Sequence, residues 1–317
     1  MKMRIGLFVL GLCSLFLAMA GPVDAQKVKL KLQFPEGRKA RYKNSTSFEY
    51  FSDRAELILM SDGGSLRARI DGEWRSHEDV VKPEPDPPSE KIEPGVVGIR
   101  AQIRKGDSRA IFLGERQTYE QFPYTLDRLN DRDFSWRISP AGEVHEFQPE
   151  FRAYRVERQD MVTDMFLAWM PEFCPSFPEE PVGEGDTWTG ERKFERPFAT
   201  MDWLGKKATL AFKSTYRIKK IKEKKGRIEV SIAEEREVTG FTGWIEVSAA
   251  SLLMEGTGVG TGEWVIDATR GLVLSHKAHM NIDQPVVTKL GGRSPLADIR
   301  AEVNLHFERK LEKLEKE

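Results

Sequence analysis

Long stretches of this chain alternate apolar and polar residues, and this period of two constrains the fold more than any other feature. The first such stretch is 27–34, where Val28, Leu30 and Leu32 separate three lysines. The same period returns in four later segments, 208–218, 228–232, 272–282 and 299–307. Successive side chains of a β-strand point to opposite faces, so each segment predicts a strand with one apolar and one polar face. We predict a mainly β protein, at the margin α+β, built from long, curved antiparallel sheet.

The first 25 residues have the features of a secretory signal. Lys2 and Arg4 precede an apolar run at 5–20, and small residues, Val23 and Ala25, stand at positions −3 and −1 of a cleavage site. The apolar run is short for a bilayer span. We predict cleavage after Ala25 and export to the periplasm or the extracellular space, with no integral membrane span afterwards; a retained anchor is the alternative.

Charge and cysteine content exclude several classes of protein. The 49 basic and 50 acidic residues nearly cancel, and no basic run offers a nucleic-acid surface, so no nucleic-acid partner is expected. Cys174 is the one cysteine that remains after cleavage. An intramolecular disulfide is therefore impossible, and we expect a buried, inert thiol.

Two sets of similar motifs divide the chain after the signal. Phe-Pro pairs open each set, and each closes with a Trp-x-Ile strand and a glycine turn, at Phe34, Trp136 and Gly142 and again at Phe177, Trp264 and Gly271. We predict a signal peptide at 1–25, a first β module at 26–150 and a second at 177–317.

Three segments differ in character from the predicted strands: the connection between the modules, a loop in the first module and the tail of the second. Apolar residues at helical spacing, ended by Pro171, predict one connecting helix within 151–176. Prolines and carboxylates at 82–94 predict an exposed loop, because proline cannot pair inside a sheet. The charged tail at 309–317 is expected to fray.

A row of glycines is the most unusual feature of the second module. Gly256, Gly258, Gly260 and Gly262 lie on one face of a predicted strand that continues into Trp264. Their spacing does not fit a dinucleotide-binding loop. A stripe without side chains lets another group lie close to the backbone. That group is either part of the protein or an apolar ligand.

The candidate ligand-binding residues come from this row, from the strand beside it and from the predicted helix. His276 shares an apolar strand face, where a hydrogen-bonded core histidine or a polar anchor in a pocket would fit. Methionine and aromatic side chains on the helix suit either a core or an adaptable apolar site. The full set is Met165, Phe166, Trp169, Gly258, Gly260, Trp264 and His276.

No catalytic, metal or cofactor site is predicted. His276 and His279 point to opposite faces of a strand, and His145 and His306 have no cysteine or carboxylate at ligand spacing. His77, beside Glu78 and Asp79, could help to bind a metal, but solvated charges near a loop explain this cluster better. A Gly-x-Ser-x-Gly elbow is missing. A carboxylate-dependent hydrolase is a minor alternative, for which the candidates are Glu184, Asp186, Glu191 and Asp267. Glu184 and Asp186 are better explained as caps of turns.

Two motifs carry a resemblance over residues 177 to 285. Gly185-Asp186-Thr187-Trp188 and the strand from Gly262 to Asp267 resemble motifs of uncharacterised exported bacterial envelope proteins with β-rich modules. A curled antiparallel sheet covered by a helix is also similar, at the level of fold, to the half-barrel of periplasmic lipoprotein carriers, which are smaller single modules. This similarity implies no site residues.

Together these patterns predict an exported, non-catalytic envelope protein. Its partner would be an apolar small molecule or lipid, or an envelope protein, held in a groove of the curved sheet. The alternative is a structural or adhesive surface module that acts through protein contacts.

Overall fold

The computed structural model describes residues 27–54, 64–83, 91–92, 94–114, 118–122, 133–149, 174–197, 207–247, 250–289 and 299–316. Within these ranges the chain forms β-strands and no α-helix, which confirms the prediction of a mainly β protein. The predicted connecting helix lies outside the described residues, except for Cys174–Ser176 at its end, which are not helical. Most of the proline-rich loop also lies outside them.

Thirteen strands are described, and all their pairings are antiparallel. In chain order they are β1 Lys39–Ser52, β2 Leu66–Val81, β3 Val97–Gly114, β4 Thr118–Phe122, β5 Asp133–Ile138, β6 Val144–Pro149, β7 Thr187–Pro197, β8 Lys207–Lys224, β9 Arg227–Val247, β10 Ala250–Asp267, β11 Leu272–Asp283, β12 Val286–Lys289 and β13 Ala301–Lys316.

All these strands belong to one sheet, in the order β6-β5-β3-β2-β1-β13-β11-β10-β9-β8-β7, with β4 beside β3 and β12 beside β10. Strands β1–β6, the first half, lie together, and so do strands β7–β13, the second half. The two halves meet where β1 pairs with β13, for example Tyr50 opposite Val303. The first and last of the described strands are therefore neighbours. Two separate modules remain a prediction.

One face of this sheet, the inner face, is buried, and the other, the outer face, is polar. Alternate residues of β1 are buried, and so are Ala301, Val303, Leu305 and Phe307 of β13. The buried residues form one apolar cluster that includes strands of both halves. The strand predictions for 272–282 and 301–307 are confirmed, because alternation reports which side chains leave water.

The end of the chain differs from the sequence-based expectation. Strand β13 continues to Lys316 and pairs with β1 as far as Lys39, so the prediction of a fraying tail was wrong. Pairing with β1 provides hydrogen-bond partners for the backbone N–H and C=O groups of this segment. Arg41 also forms an ion pair with Glu315, at 2.6 Å.

Residues 27–34, which we call the strap, connect the two halves. Only Val28 forms a β-bridge, so the prediction of a strand at 27–34 was wrong, although the alternation of buried and exposed side chains is present. The Leu32 N–H donates to the Pro140 carbonyl (2.9 Å), and the Gln33 N–H donates to the Gly271 carbonyl (3.1 Å). Val28 exchanges two backbone hydrogen bonds with Val182. Its valine and leucine side chains are buried in the core while its lysines are exposed. The strap therefore covers apolar residues of the inner face.

Candidate functional site

A small cavity lies between the strap and the inner face. Its volume is about 40 Å³. Much of its wall is apolar, from Leu32, Phe34, Ile99, Trp136, Ile138 and Val273. A second part of the wall is polar, from Arg38, Tyr42, Glu78 and Arg309. The cavity therefore has an amphipathic lining in the middle of the core.

The polar wall is organised around one buried ion pair. Arg309 binds Glu78 through two parallel hydrogen bonds, both 2.7 Å long. Its guanidinium carbon also lies 3.5 Å from the centre of the Tyr42 ring. Burial by itself lowers the pKa of Arg309, but the nearby Glu78 carboxylate outweighs it and the net shift is upward. Burial raises the pKa of Tyr42, so this phenol stays neutral.

Arg38 adds a second positive charge to this wall. Its guanidinium donates to the Gln33 carbonyl and lies over the Phe34 ring, 5.3 Å from the ring centre. Burial lowers the pKa of Arg38, although the Glu78 carboxylate opposes the change. Two guanidinium groups thus face a single carboxylate, and the polar wall has a net positive charge.

The glycine row lies on the inner face and packs against the protein itself. A Cβ atom built on Gly258 would stand 2.0 Å from the Asn281 carbonyl oxygen, and one on Gly260 would stand 2.6 Å from that of His279. A Cβ on Gly262 would stand 2.4 Å from a carboxylate oxygen of Glu234. The group close to these three glycines is therefore strand β11 and a side chain of β9, the first of the two alternatives.

Trp264 and His276 belong to a buried polar network. Their rings stack with centres 3.4 Å apart, and their exposures are 1% and 0%. The indole N–H of Trp264 donates to Glu234 (2.7 Å), which also accepts from Ser214 (2.6 Å) and Arg236 (2.8 Å). Burial would raise the pKa of Glu234, but the Arg236 charge and hydrogen bond outweigh it and hold that pKa at about 2.

The predicted ligand residues are thus only partly brought together. Trp264 and His276 are buried, and the glycine row lies on the same strand as Trp264. None of these residues lines the amphipathic cavity, although His276 is the direct strand partner of Arg309, which does. Met165, Phe166 and Trp169 lie outside the described residues. A ligand-binding role for this set stays a prediction.

Three of the four carboxylates considered for hydrolysis have local structural partners. Asp186 accepts from the Gly183 N–H (2.8 Å), and Glu184 accepts from the Ile221 N–H (2.7 Å). Asp267 accepts from the Arg270 N–H (3.0 Å). The capping role predicted for Asp186 is confirmed, and Glu184 instead satisfies a backbone donor on β8. Cys174 is buried as predicted, and burial raises the pKa of its thiol.

The polar wall of the cavity was missed by sequence reasoning, although a signal was present. Arg309 continues the apolar period of 299–307, and Glu234 and Arg236 continue that of 228–232. A charged residue at a position where the alternation calls for an apolar one predicts a buried ion pair. Its partner cannot be identified without the strand register.

The outer face carries a second, larger depression that sequence reasoning also missed. This polar groove has a volume of about 860 Å³ and extends across strands β2, β1, β13, β11, β10 and β9 to β8. His279 and His306 face each other in its middle, with ring centres 4.3 Å apart. Partial burial and then the neighbouring His279 lower the pKa of His306. His276 and His279 lie on opposite faces, as predicted.

The described ranges contain neither a metal-binding cluster of three or more ligands nor a membrane-spanning helix. Among these residues, no group of three or more histidine, cysteine, aspartate or glutamate side chains is arranged to hold a metal ion. The same part of the chain contains no helix that is long and apolar enough to cross a membrane.

Comparison with known proteins gives distant structural neighbours. No protein-family model and no curated protein matches the chain. A structure of lipovitellin, described for its lipid–protein interactions, aligns with a TM-score of 0.49 and 10% identity; the alignment covers 89% of this chain and 26% of lipovitellin. A protein from Bacteroides fragilis described as exported, with a YmcC-like fold, aligns with a TM-score of 0.16 and 11% identity, covering 91% and 100%. The function must therefore be inferred from the chain's own residues.

Proposed function

We propose that this chain is an exported, non-catalytic binding protein that holds an amphipathic ligand with an apolar chain at its inner face. The amphipathic cavity under the strap is the observation that carries the proposal. Its apolar wall suits an aliphatic chain, and its net positive wall suits an anionic head group. Ligand sites of this kind combine mostly apolar walls with a few convergent polar groups.

The polar groups of the cavity suit this role because they are already desolvated. Arg309 is 2% exposed and Arg38 is 7% exposed, so an anion beside them would meet little competing water. Hydrogen bonds to charged groups are the stronger ones in such surroundings. Glu78 already pairs with Arg309, which leaves Arg38 as the more available cation for a head group.

The strap has to move before a ligand of useful size can enter. A cavity of about 40 Å³ holds only a few water molecules, since about 10–15 Å³ of such volume accommodates one. Ligand pockets usually measure about 300–1,000 Å³. Val28, Leu30 and Leu32 fill the inner face with aliphatic side chains, and an acyl chain could take their place.

A fluorescent fatty-acid probe tests this function. We expect the purified protein to bind the probe and unlabelled fatty acid to displace it. Ile99→Trp fills the cavity and should abolish binding, whereas Arg38→Gln removes a charge and should weaken binding of the acid more than that of the matching alcohol. Val259→Ala on the outer face, where Val259 is 65% exposed, is the matched control.

Two results would overturn the proposal. One is that the purified protein does not bind the probe and contains no copurified lipid by native mass spectrometry. The other is probe binding that persists unchanged in folded Ile99→Trp protein. A partner held through protein contacts would then become the better hypothesis.

A further inference from the structure

Two histidines that are far apart in sequence lie side by side on the outer face. His279 of β11 and His306 of β13 are direct partners in the antiparallel register. Their ring centres are 4.3 Å apart and the ring planes are inclined by 35°. Cross-strand partners have neighbouring Cβ atoms, so their side chains leave the sheet together. The pair stands in the middle of the polar groove.

The strand register surrounds this pair with oxygen atoms. Ser47 is opposite His306 on one side, and Thr261 is opposite His279 on the other. One strand further out, the row continues with Asp71 beyond Ser47 and Glu235 beyond Thr261. The row across six strands therefore reads carboxylate, hydroxyl, imidazole, imidazole, hydroxyl, carboxylate.

Two of the three cations that line the groove, Arg69 and Lys277, form ion pairs. Arg69 forms ion pairs with Asp71 (2.8 Å) and Glu49 (3.0 Å). Lys277 forms one with Glu308 (3.2 Å). A positive ion at the histidine pair would thus meet paired cations and the carboxylate of Glu235 at the far side of the row.

We propose that His279 and His306 form a two-histidine clip for a divalent transition-metal ion in the outer-face groove. Imidazole suits zinc, copper and nickel, and the usual affinity order places Cu²⁺ above both Zn²⁺ and Ni²⁺. A shared ion needs one nitrogen from each ring at about 2.0–2.1 Å, which rings at this separation reach by rotation of their side chains. Water fills the remaining coordination positions of this open site.

The histidine pair lies on the opposite face of the sheet from the amphipathic cavity, so a metal ion there would bind independently of a ligand beneath the strap. The sequence could not show the pair, because 279 and 306 approach each other only through the register of β11 with β13.

Metal titration of the purified protein tests the clip. Isothermal titration with Zn²⁺ and electron paramagnetic resonance with Cu²⁺ are measured for the wild type, His279→Gln, His306→Gln and the double variant. His77→Gln is the matched control, because His77 lies on β2 opposite Arg41 and Gln102 rather than another histidine.

We expect one ion per chain in the wild type and in His77→Gln, with a two-nitrogen copper signal. Loss of an outer partner of a metal ligand already weakens binding about 10- to 100-fold, so each single variant should lose at least that much. Circular dichroism confirms that the variants are folded. Equal affinity in the double variant, or no binding by the wild type, would overturn the clip.

Discussion

Some charged residues stand where the alternating pattern calls for an apolar side chain. Among single substitutions, we expect changes at these residues to lower the stability of the protein most. Glu234 and Arg236 are 2% and 3% exposed, and their side chains stand 2.8 Å apart. Removing one member of a buried pair leaves the other charge unbalanced in a medium of low polarity, and the cost exceeds what the intact pair contributes.

Glu234→Gln should therefore lower the free energy of unfolding by about 3–5 kcal/mol. Glu235→Gln is a matched control on the same strand, since Glu235 is on the outer face, and surface changes usually stay within about 0.5 kcal/mol. Urea unfolding followed by tryptophan fluorescence measures both. Equal midpoints for the two variants would show that the buried pair is not formed.

The same carboxylate gives a prediction about acid. The ordinary pKa of 4.5 falls to about 2 in the folded protein, so folding favours the ionised form. The resulting stabilisation is complete above pH 4.5 and disappears as the pH falls through about 2. The stability difference between wild type and Glu234→Gln should shrink across this window, as urea midpoints at successive pH values will show. A constant difference would contradict the low pKa.

At the scale of elements, the glycine row determines how closely β11 can approach β10. Gly258 stands against the Asn281 carbonyl, which is backbone and cannot rotate away. Gly240 on the neighbouring strand β9 has only the Ala211 methyl near its Cβ position, at 3.7 Å, an ordinary contact.

Gly258→Ala should destabilise the protein by about 1–3 kcal/mol, the range for overpacked interiors, whereas Gly240→Ala should be close to neutral. Chemical denaturation measures the two changes, and hydrogen exchange should locate the loss of protection in β10 and β11. Similar effects for both variants would mean that the close approach of β11 is not important for stability.

The alternating pattern predicted strands and buried faces well because it reports directly which side chains leave water. It could not predict partners, because register depends on contacts between residues far apart in sequence. Arg309 with Glu78 and His279 with His306 are both products of register. The prediction of a fraying tail was wrong for the same reason. Pairing with β1 stabilises the tail as a strand, although its own sequence does not favour one.

At the scale of the molecule, strands β1 and β13, the first and last that the structure describes, join the two halves of the sheet. Strand β13 pairs with β1 on one side and β11 on the other, so it joins the two halves within the sheet. Its buried residues also join the apolar cores of both.

Deletion of 301–317 should therefore abolish cooperative unfolding of the whole sheet, because it removes the link and exposes the edges of β1 and β11. Deletion of 312–317 removes side chains that are mostly exposed over 312–315 and should retain cooperativity with a lower midpoint. Differential scanning calorimetry measures the cooperativity of unfolding and so distinguishes the two deletions. A single cooperative transition of unchanged enthalpy in the longer deletion would show that β13 does not join the halves.

The claim that a ligand binds beneath the strap is tested most directly by a reversible disulfide that fixes the strap in place. Val28 and Val182 exchange backbone hydrogen bonds of 2.8 and 3.0 Å, a pairing whose Cα separation of about 5.5 Å a disulfide can bridge. In a Cys174→Ser background, Val28→Cys with Val182→Cys should bind no fatty-acid probe when oxidised and recover binding when reduced. The protein without the new cysteines should be insensitive to redox state. Equal probe affinity in the oxidised and reduced forms would contradict a ligand held beneath the strap.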